Sequence, residues 1–180
     1  MTYYDDIYEH AVDNYYLITT KEANDLGVPT IELAKLASRG KLEHVAHGLY
    51  RLARYVPHEN DPYAVSVAAA GEGAYLFGES VIAMLRLAPT NPTRMYVATP
   101  RRYRKTAPDG LTVVVRHGTN DQTAYEGIPC QRVGDAIVAC IGKMMDERLN
   151  LAADNARAEG YLLSEEYNRV KEAIANHEAT

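Results

Sequence analysis

Cys130 and Cys140 are the only cysteines in the chain, and both stand among apolar neighbours. Neither belongs to a CxxC or Cys/His spacing, so the sequence offers no zinc site and no disulfide framework, and the pair reads as free, reduced core residues. Long hydrophobic runs are missing too, since nothing approaches the roughly 18 continuous apolar residues of a membrane span. The start, MTYYDDIYEH, is acidic where a secretion signal is basic and then apolar. These absences place the chain in the cytoplasm with no membrane partner. Catalytic signatures are also lacking: there is no GxxxxGK[ST], HExxH or GxSxG, and no strand-borne acidic pair followed by ExK. Gly71-Glu72-Gly73 is too short to cradle a phosphate, and Asp146-Glu147 reads as a pair of acids on a helix surface. No enzymatic activity, cofactor or metal is expected, and there are no internal repeats or low-complexity segments.

What the chain does have is enough apolar material for a real core, with 47% hydrophobic and 24% charged residues among 180. That length suits a small reader domain joined to one of ordinary size. A formal net charge of -5 argues at first against a polyanionic partner, because a DNA-binding surface must offset phosphate charge. Its distribution reverses the impression. Residues 16–56 carry six basic side chains against four acidic ones, and residues 86–116 carry seven against one. The acids concentrate at the N-terminus and in the C-terminal third, leaving two regions free to face a polyanion.

Ile7, His10, Ala11 and Asn14 fall at helical spacing and give a first helix. After the apolar run Tyr15 to Ile18, Thr19-Thr20-Lys21-Glu22 has the form of a capping box opening a second, short helix that ends near Leu26. Gly27 supplies the positive φ that stops it, Pro29 prevents its continuation, and Thr30 is placed to cap a third helix from Ile31 to Arg39, which Gly40 ends. Small Ala23 at the contact, glycine at the turn, and Leu26, Val28, Leu33 and Leu36 around them describe a helix-turn-helix. An ordinary αα-hairpin is the alternative on these marks alone. Leu42 and Val45, then His47-Gly48, then the alternating Leu49 to Leu52 read as a β-hairpin directly after the third helix, in the position of a wing.

On the third helix Leu33, Leu36 and Ala37 are expected to point inward, leaving Thr30, Glu32, Lys35, Ser38 and Arg39 for a groove or for solvent. Candidate DNA contacts are therefore Thr20, Lys21, Thr30, Lys35, Ser38 and Arg39 from the helices and Lys41, His44, His47 and Arg51 from the wing. Glu32 is the misfit: it either accepts from a cytosine amino group or lies off the interface.

The segments ITTKEANDLGV and LAKLASRGKLEHVAHGLYRL, with the proline-containing stretch that follows, resemble the N-terminal domain of AbiEi-family antitoxins. The likeness is close over residues 14–56 and looser over residues 61–140. It implies a winged helix-turn-helix that represses its own operon, and an antitoxin component of a type IV toxin-antitoxin system countering a nucleotidyltransferase-type toxin. The partners it implies are double-stranded operator DNA, in inverted repeats bound by two copies, and that toxin.

Arg54 to Asp61 reads as a linker, separating a winged helix-turn-helix at residues 1–56 from a mixed α+β domain at 61–180. The whole is of α+β class. In the second part, helices are expected over Pro62–Ala70, Gly78–Leu87, Gly134–Leu149 and Ser164–His177, and strands over Arg94–Ala98, Leu111–Val115 and Ile128–Val133. Between two strands stands Arg101-Arg102-Tyr103-Arg104-Lys105, a ready phosphate-binding patch. It would touch DNA, receive an RNA or nucleotide-linked partner, or serve as a solvated loop. In AbiEi-like proteins the C-terminal domain is needed for antitoxin action, and the resemblance favours function. Two other readings compete: a winged-helix regulator whose C-terminal domain binds an effector or partner, and a nuclease targeted by its winged helix, against which the absent acidic cluster speaks.

Overall fold

Thr2 opens the first helix, α1 (Tyr3–Ala11), with a reciprocal cap: its hydroxyl accepts from the Asp5 N–H, and the Asp5 carboxylate accepts from the Thr2 N–H at 2.8 Å. Ile7 and Ala11 line the buried side of this helix. The computed structural model describes residues 1–90 and 92–180, which divide into two units, Met1–Glu72 and Gly73–Thr180.

In the first unit α1 leads to a short strand, β1 (Leu17–Thr19), then α2 (Thr20–Asp25), α3 (Thr30–Ser38), β2 (Leu42–Ala46), β3 (Leu49–Leu52) and α4 (Asp61–Ala70). The three strands form one antiparallel sheet in the order β1-β3-β2. Leu42 pairs with Leu52 and His44 with Tyr50, and the register shifts between His44 and Ala46, so one extra residue sits in β2 before the turn. The core is continuous from helix to sheet: Ile7, Ala11, Ile18, Ala23, Val28, Leu33, Leu36, Leu42 and Leu52 pack together.

The expected boundary fell between residues 56 and 61, whereas the units divide after Glu72. Helix α4 therefore goes with the first unit, where it packs beside β1. The preceding stretch also holds to this unit, with the His58 ring meeting Tyr15 edge-on at 5.4 Å between centroids.

The second unit contains β4 (Tyr75–Leu76), α5 (Glu79–Met84), β5 (Met95–Thr99), β6 (Leu111–Val115), β7 (Gln122–Tyr125), β8 (Ile128–Gln131), α6 (Val133–Ala139), α7 (Asp146–Ala158) and α8 (Ser164–Glu178). Its sheet has the order β6-β5-β4-β8-β7 and is mixed, with β5 parallel to β6, β4 parallel to β8, and the other two pairs antiparallel. The α+β reading holds. The single helix expected from Gly134 to Leu149 is instead two, because Gly142 takes φ +80° and the chain turns between Cys140 and Met145 before α7 begins. Cys130 and Cys140 are buried and free, and burial pushes both thiols up to about 12, so neither is a nucleophile at neutral pH.

A half-enclosed ion pair ties the loop after β6 to this sheet. Arg116 donates from Nη1 to both oxygens of Asp121, at 3.0 and 2.8 Å, and to the Tyr75 hydroxyl at 2.9 Å. The Gln131 amide donates to Asp121 Oδ2 at 2.8 Å, while its carbonyl accepts from the Gly78 N–H. Burial works to raise the Asp121 carboxyl, but the Gln131 and Arg116 donors outweigh it and hold it below its ordinary value. A depressed folded-state pKa contributes stability in full above the unfolded carboxyl's pKa, about 3.9. That contribution fades as pH falls through the lower folded value. Asp121→Asn should accordingly cost about 2 kcal/mol at neutral pH and progressively less as pH falls through the lowered folded value, so urea midpoints of wild type and variant should draw together on acidification.

Candidate nucleic-acid interface

The chain enters α2 through the capping box expected from sequence. Thr19 Oγ1 accepts from the Glu22 N–H at 3.1 Å, and Glu22 Oε2 accepts from the Thr19 N–H at 2.7 Å. Gly27 follows at φ +82°, and the Val28 N–H returns to the Ala23 carbonyl at 2.8 Å. This is a left-handed helix ending of the kind glycine adopts without steric cost. Two expectations change at the turn. Leu26 is 41% exposed, because the turn carries it away from the α2–α3 contact that Ala23 and Val28 fill. Thr30 is the first helical residue and not the cap: Pro29 holds the cap position without a side-chain bond, and the Thr30 hydroxyl donates to Asn24 Oδ1 across the turn at 3.3 Å.

Helix α3 buries Leu33 and Leu36 and leaves Ala37 half-buried. Its outward side carries Ile31, Ala34, Lys35 and Ser38, at the i, i+3, i+4, i+7 spacing of one helical face. Lys35 Nζ lies 2.9 Å from Glu32 Oε1, so the acid that looked misplaced is the lysine's intrahelical partner. Ser38 donates to the Lys35 carbonyl at 2.8 Å. Arg39 caps the helix end, exposed, and makes no ion pair among the described residues. Ile31 and Ala34 were not among the candidates read from sequence. Their placement follows from the 3.6-residue period once Leu33 and Leu36 are taken as inward.

The remaining candidates divide by how far they are already engaged. Thr20 lies beneath the turn of the β2–β3 hairpin, its N–H donating to the Gly48 carbonyl at 2.9 Å and its hydroxyl to the same oxygen at 3.4 Å. Lys21 pairs with Asp25 at 2.8 Å and more distantly with Glu72 at 3.8 Å, and the Asp25 bond raises its pKa. Arg51 belongs to the middle strand of the sheet, pairs with Glu43 at 3.3 Å and stacks 4.0 Å from the Tyr55 ring centroid. Lys41 stands over the Tyr4 ring at 5.1 Å, and His44 lies beside the Tyr50 ring. His47 is exposed at the hairpin turn.

In the second unit, Arg101 to Lys105 occupies the connection between β5 and β6. Tyr103 is partly buried, which raises its hydroxyl pKa, and the four bases around it are exposed. Among the described residues Arg102, Arg104 and Lys105 make no ion pair. Among the same residues no three His, Cys, Asp or Glu side chains converge as a metal site, and no helix is long and apolar enough to cross a membrane.

Residues 5–53, from α1 to the end of the hairpin, match the family described as "Transcriptional regulator, AbiEi antitoxin". The resemblance read from the sequence over this segment agrees with that match. No curated protein matches the chain. Among solved structures, the RV2827C protein from Mycobacterium tuberculosis is similar over 96% of this chain and 82% of that one, with 14% identity and a TM-score of 0.42.

A Cβ at position 27 would meet nothing within 4 Å, so substitution there tests backbone conformation without steric clash. Gly27→Ala should lower the stability of the first unit by about 1 kcal/mol, and Gly27→Asn by less, because asparagine tolerates the left-handed region. Urea titrations of both full-length variants, followed by circular dichroism, check the order.

Proposed function

We propose that this chain reads double-stranded DNA through its N-terminal winged helix-turn-helix, represses its own operon, and acts as the antitoxin of a type IV toxin-antitoxin pair whose toxin is a nucleotidyltransferase. The observation that carries the reading is the face of α3: a helix packed on α2 by its apolar side, followed at once by a β-hairpin, with Lys35, Ser38 and Arg39 turned outward. The family match over the same residues supports it. In this reading α3 enters the major groove, and Lys41, His44 and His47 of the hairpin meet the backbone beside it. Two copies occupy inverted repeats upstream of the gene. The chain works in the cytoplasm as a regulator with no catalytic step of its own, and the 101–105 loop supplies basic surface to the antitoxin function.

A second reading keeps the DNA-binding role and gives the second unit an effector. It is favoured by an open cleft of about 460 Å³ in that unit, lined by Arg116, Asn120, Asp121, Arg132, Glu166 and Arg169 among others. That lining of fixed charges of both signs suits a small polar molecule.

Gel shifts with the full chain on the region upstream of its gene test the first reading. Lys35→Ala and Arg39→Ala should each reduce preference for operator over scrambled duplex by roughly ten- to a hundredfold if that residue reads a base. His47→Ala should weaken both duplexes alike. Normal operator preference in the two α3 variants would remove this helix face from the proposed reading.

Changing Arg101, Arg102, Arg104 and Lys105 together to Ala alters an exposed loop and should leave the fold unchanged. Protection of cells from the toxin should fall, while repression by the promoter reporter is largely kept. The Lys35→Ala, Arg39→Ala double variant should do the reverse. Full protection by the loop variant would show the cluster to be a solvated loop.

A further inference from the structure

Ile31 is not part of the buried core of the first unit. It is 61% exposed on the outward face of α3, while Val28, Leu33 and Leu36 fill the core beneath. Ala34, one turn further along, is exposed on the same face, and Lys35 and Ser38 complete it. A β-branched aliphatic residue is also a mediocre choice for an exposed helical site, where straight-chain polar residues hold the helix better and keep no apolar area in water. The center of the proposed reading face is thus apolar, with cations at its edge.

DNA offers one matching chemistry. Phosphates, sugars and most base edges in the major groove are polar, whereas the C5 methyl of thymine is an apolar projection into that groove. Ile31 is the second residue of α3, and in helix-turn-helix proteins the first turns of the second helix reach the base edges. The short side chain of Ala34 permits close approach of the helix to the groove floor. Protein is a poorer occupant, because one isoleucine and one alanine bounded by Lys35 and Arg39 make too small an apolar patch for a stable interface.

We propose that Ile31, assisted by Ala34, reads the C5 methyl of a thymine, so that part of the sequence preference of α3 comes from apolar contact and not from hydrogen bonds. This rests on the DNA-reading role of α3 proposed above. The methyl group can be removed from the DNA without altering base pairing by replacing thymine with deoxyuridine, which makes the contact testable one atom group at a time.

The full chain would first be used to select a high-affinity duplex from a random pool, and each thymine in that duplex then replaced in turn by deoxyuridine. For the wild type, at least one replacement per half-site should weaken binding roughly three- to tenfold, as expected for losing a buried methyl contact. For Ile31→Ala the same replacement should change affinity less than twofold, and Ile31→Val should retain most of the effect. Ile31→Ala should melt as the wild type does. A wild type indifferent to every replacement, with Lys35→Ala still losing sequence preference, would overturn the methyl contact and leave the DNA-reading role standing. So would a replacement that weakened wild type and Ile31→Ala equally. Failure to select any sequence, with no binding to duplex at low salt, would overturn the DNA-reading role itself and this inference with it.

Discussion

The turn from Ala23 to Val28 decides what the N-terminal unit can present. Gly27 reverses the chain in the left-handed region, and the Val28 N–H closes the turn on the Ala23 carbonyl. The alanine side chain is fully buried, which lets α3 cross α2 at close range. From that crossing everything else on α3 follows at 100° per residue: Leu33 and Leu36 go to the core, and Ile31, Ala34, Lys35 and Ser38 go out. A bulkier residue at 23 or a right-handed one at 27 would rotate or lift the whole face, however well its individual side chains were preserved.

Charge in this unit is held in reserve. Lys21, Lys35 and Arg51 each have a carboxylate within 4 Å on their own unit, so in the proposed DNA complex any phosphate contact by them would compete with a partner already in place. Exposed pairs of this kind are worth little individually, and a phosphate in the correct position can displace them. A misplaced one gains less. Arg102, Arg104 and Lys105 have no such competitor among the described residues, so any attraction they exert on a polyanion would be less selective. Arg39 of the first unit is likewise without an ion pair among the described residues, so the two basic regions differ in how much of their charge is already paired.

Much of the first unit was legible because its punctuation is local. Thr19 with Glu22, Gly27, Gly40 and the His47-Gly48 turn each act within a few residues, and short-range rules found them. The strand β1 was not, since its three residues gain their identity only by pairing with Leu49 to Arg51, thirty or more positions away. It also follows Tyr15 and Tyr16, both at positive φ, a conformation that no propensity assigns to tyrosine. The break between α6 and α7 was hidden for the opposite reason: Gly142 stands inside a run that is otherwise acceptable helix, and only its backbone angle shows that the chain turns. In the candidate interface, attention to charge and polarity singled out Lys35 and Arg39 and gave Ile31 no side, although the same 3.6-residue period that turns Leu33 and Leu36 inward turns it out.

The hydrogen bond from the Thr20 N–H to the Gly48 carbonyl joins the hairpin turn to the start of α2. Loops at the tips of small domains usually wander among many shapes, and anything that grips them must first extract that freedom. Here the tip is fastened at its midpoint to a helix that is itself capped on the adjoining residue. In the proposed DNA complex the hairpin would meet the duplex already set, with little ordering left to oppose binding, and loosening Thr20 would shorten the life of that complex before it changed which sequence is preferred.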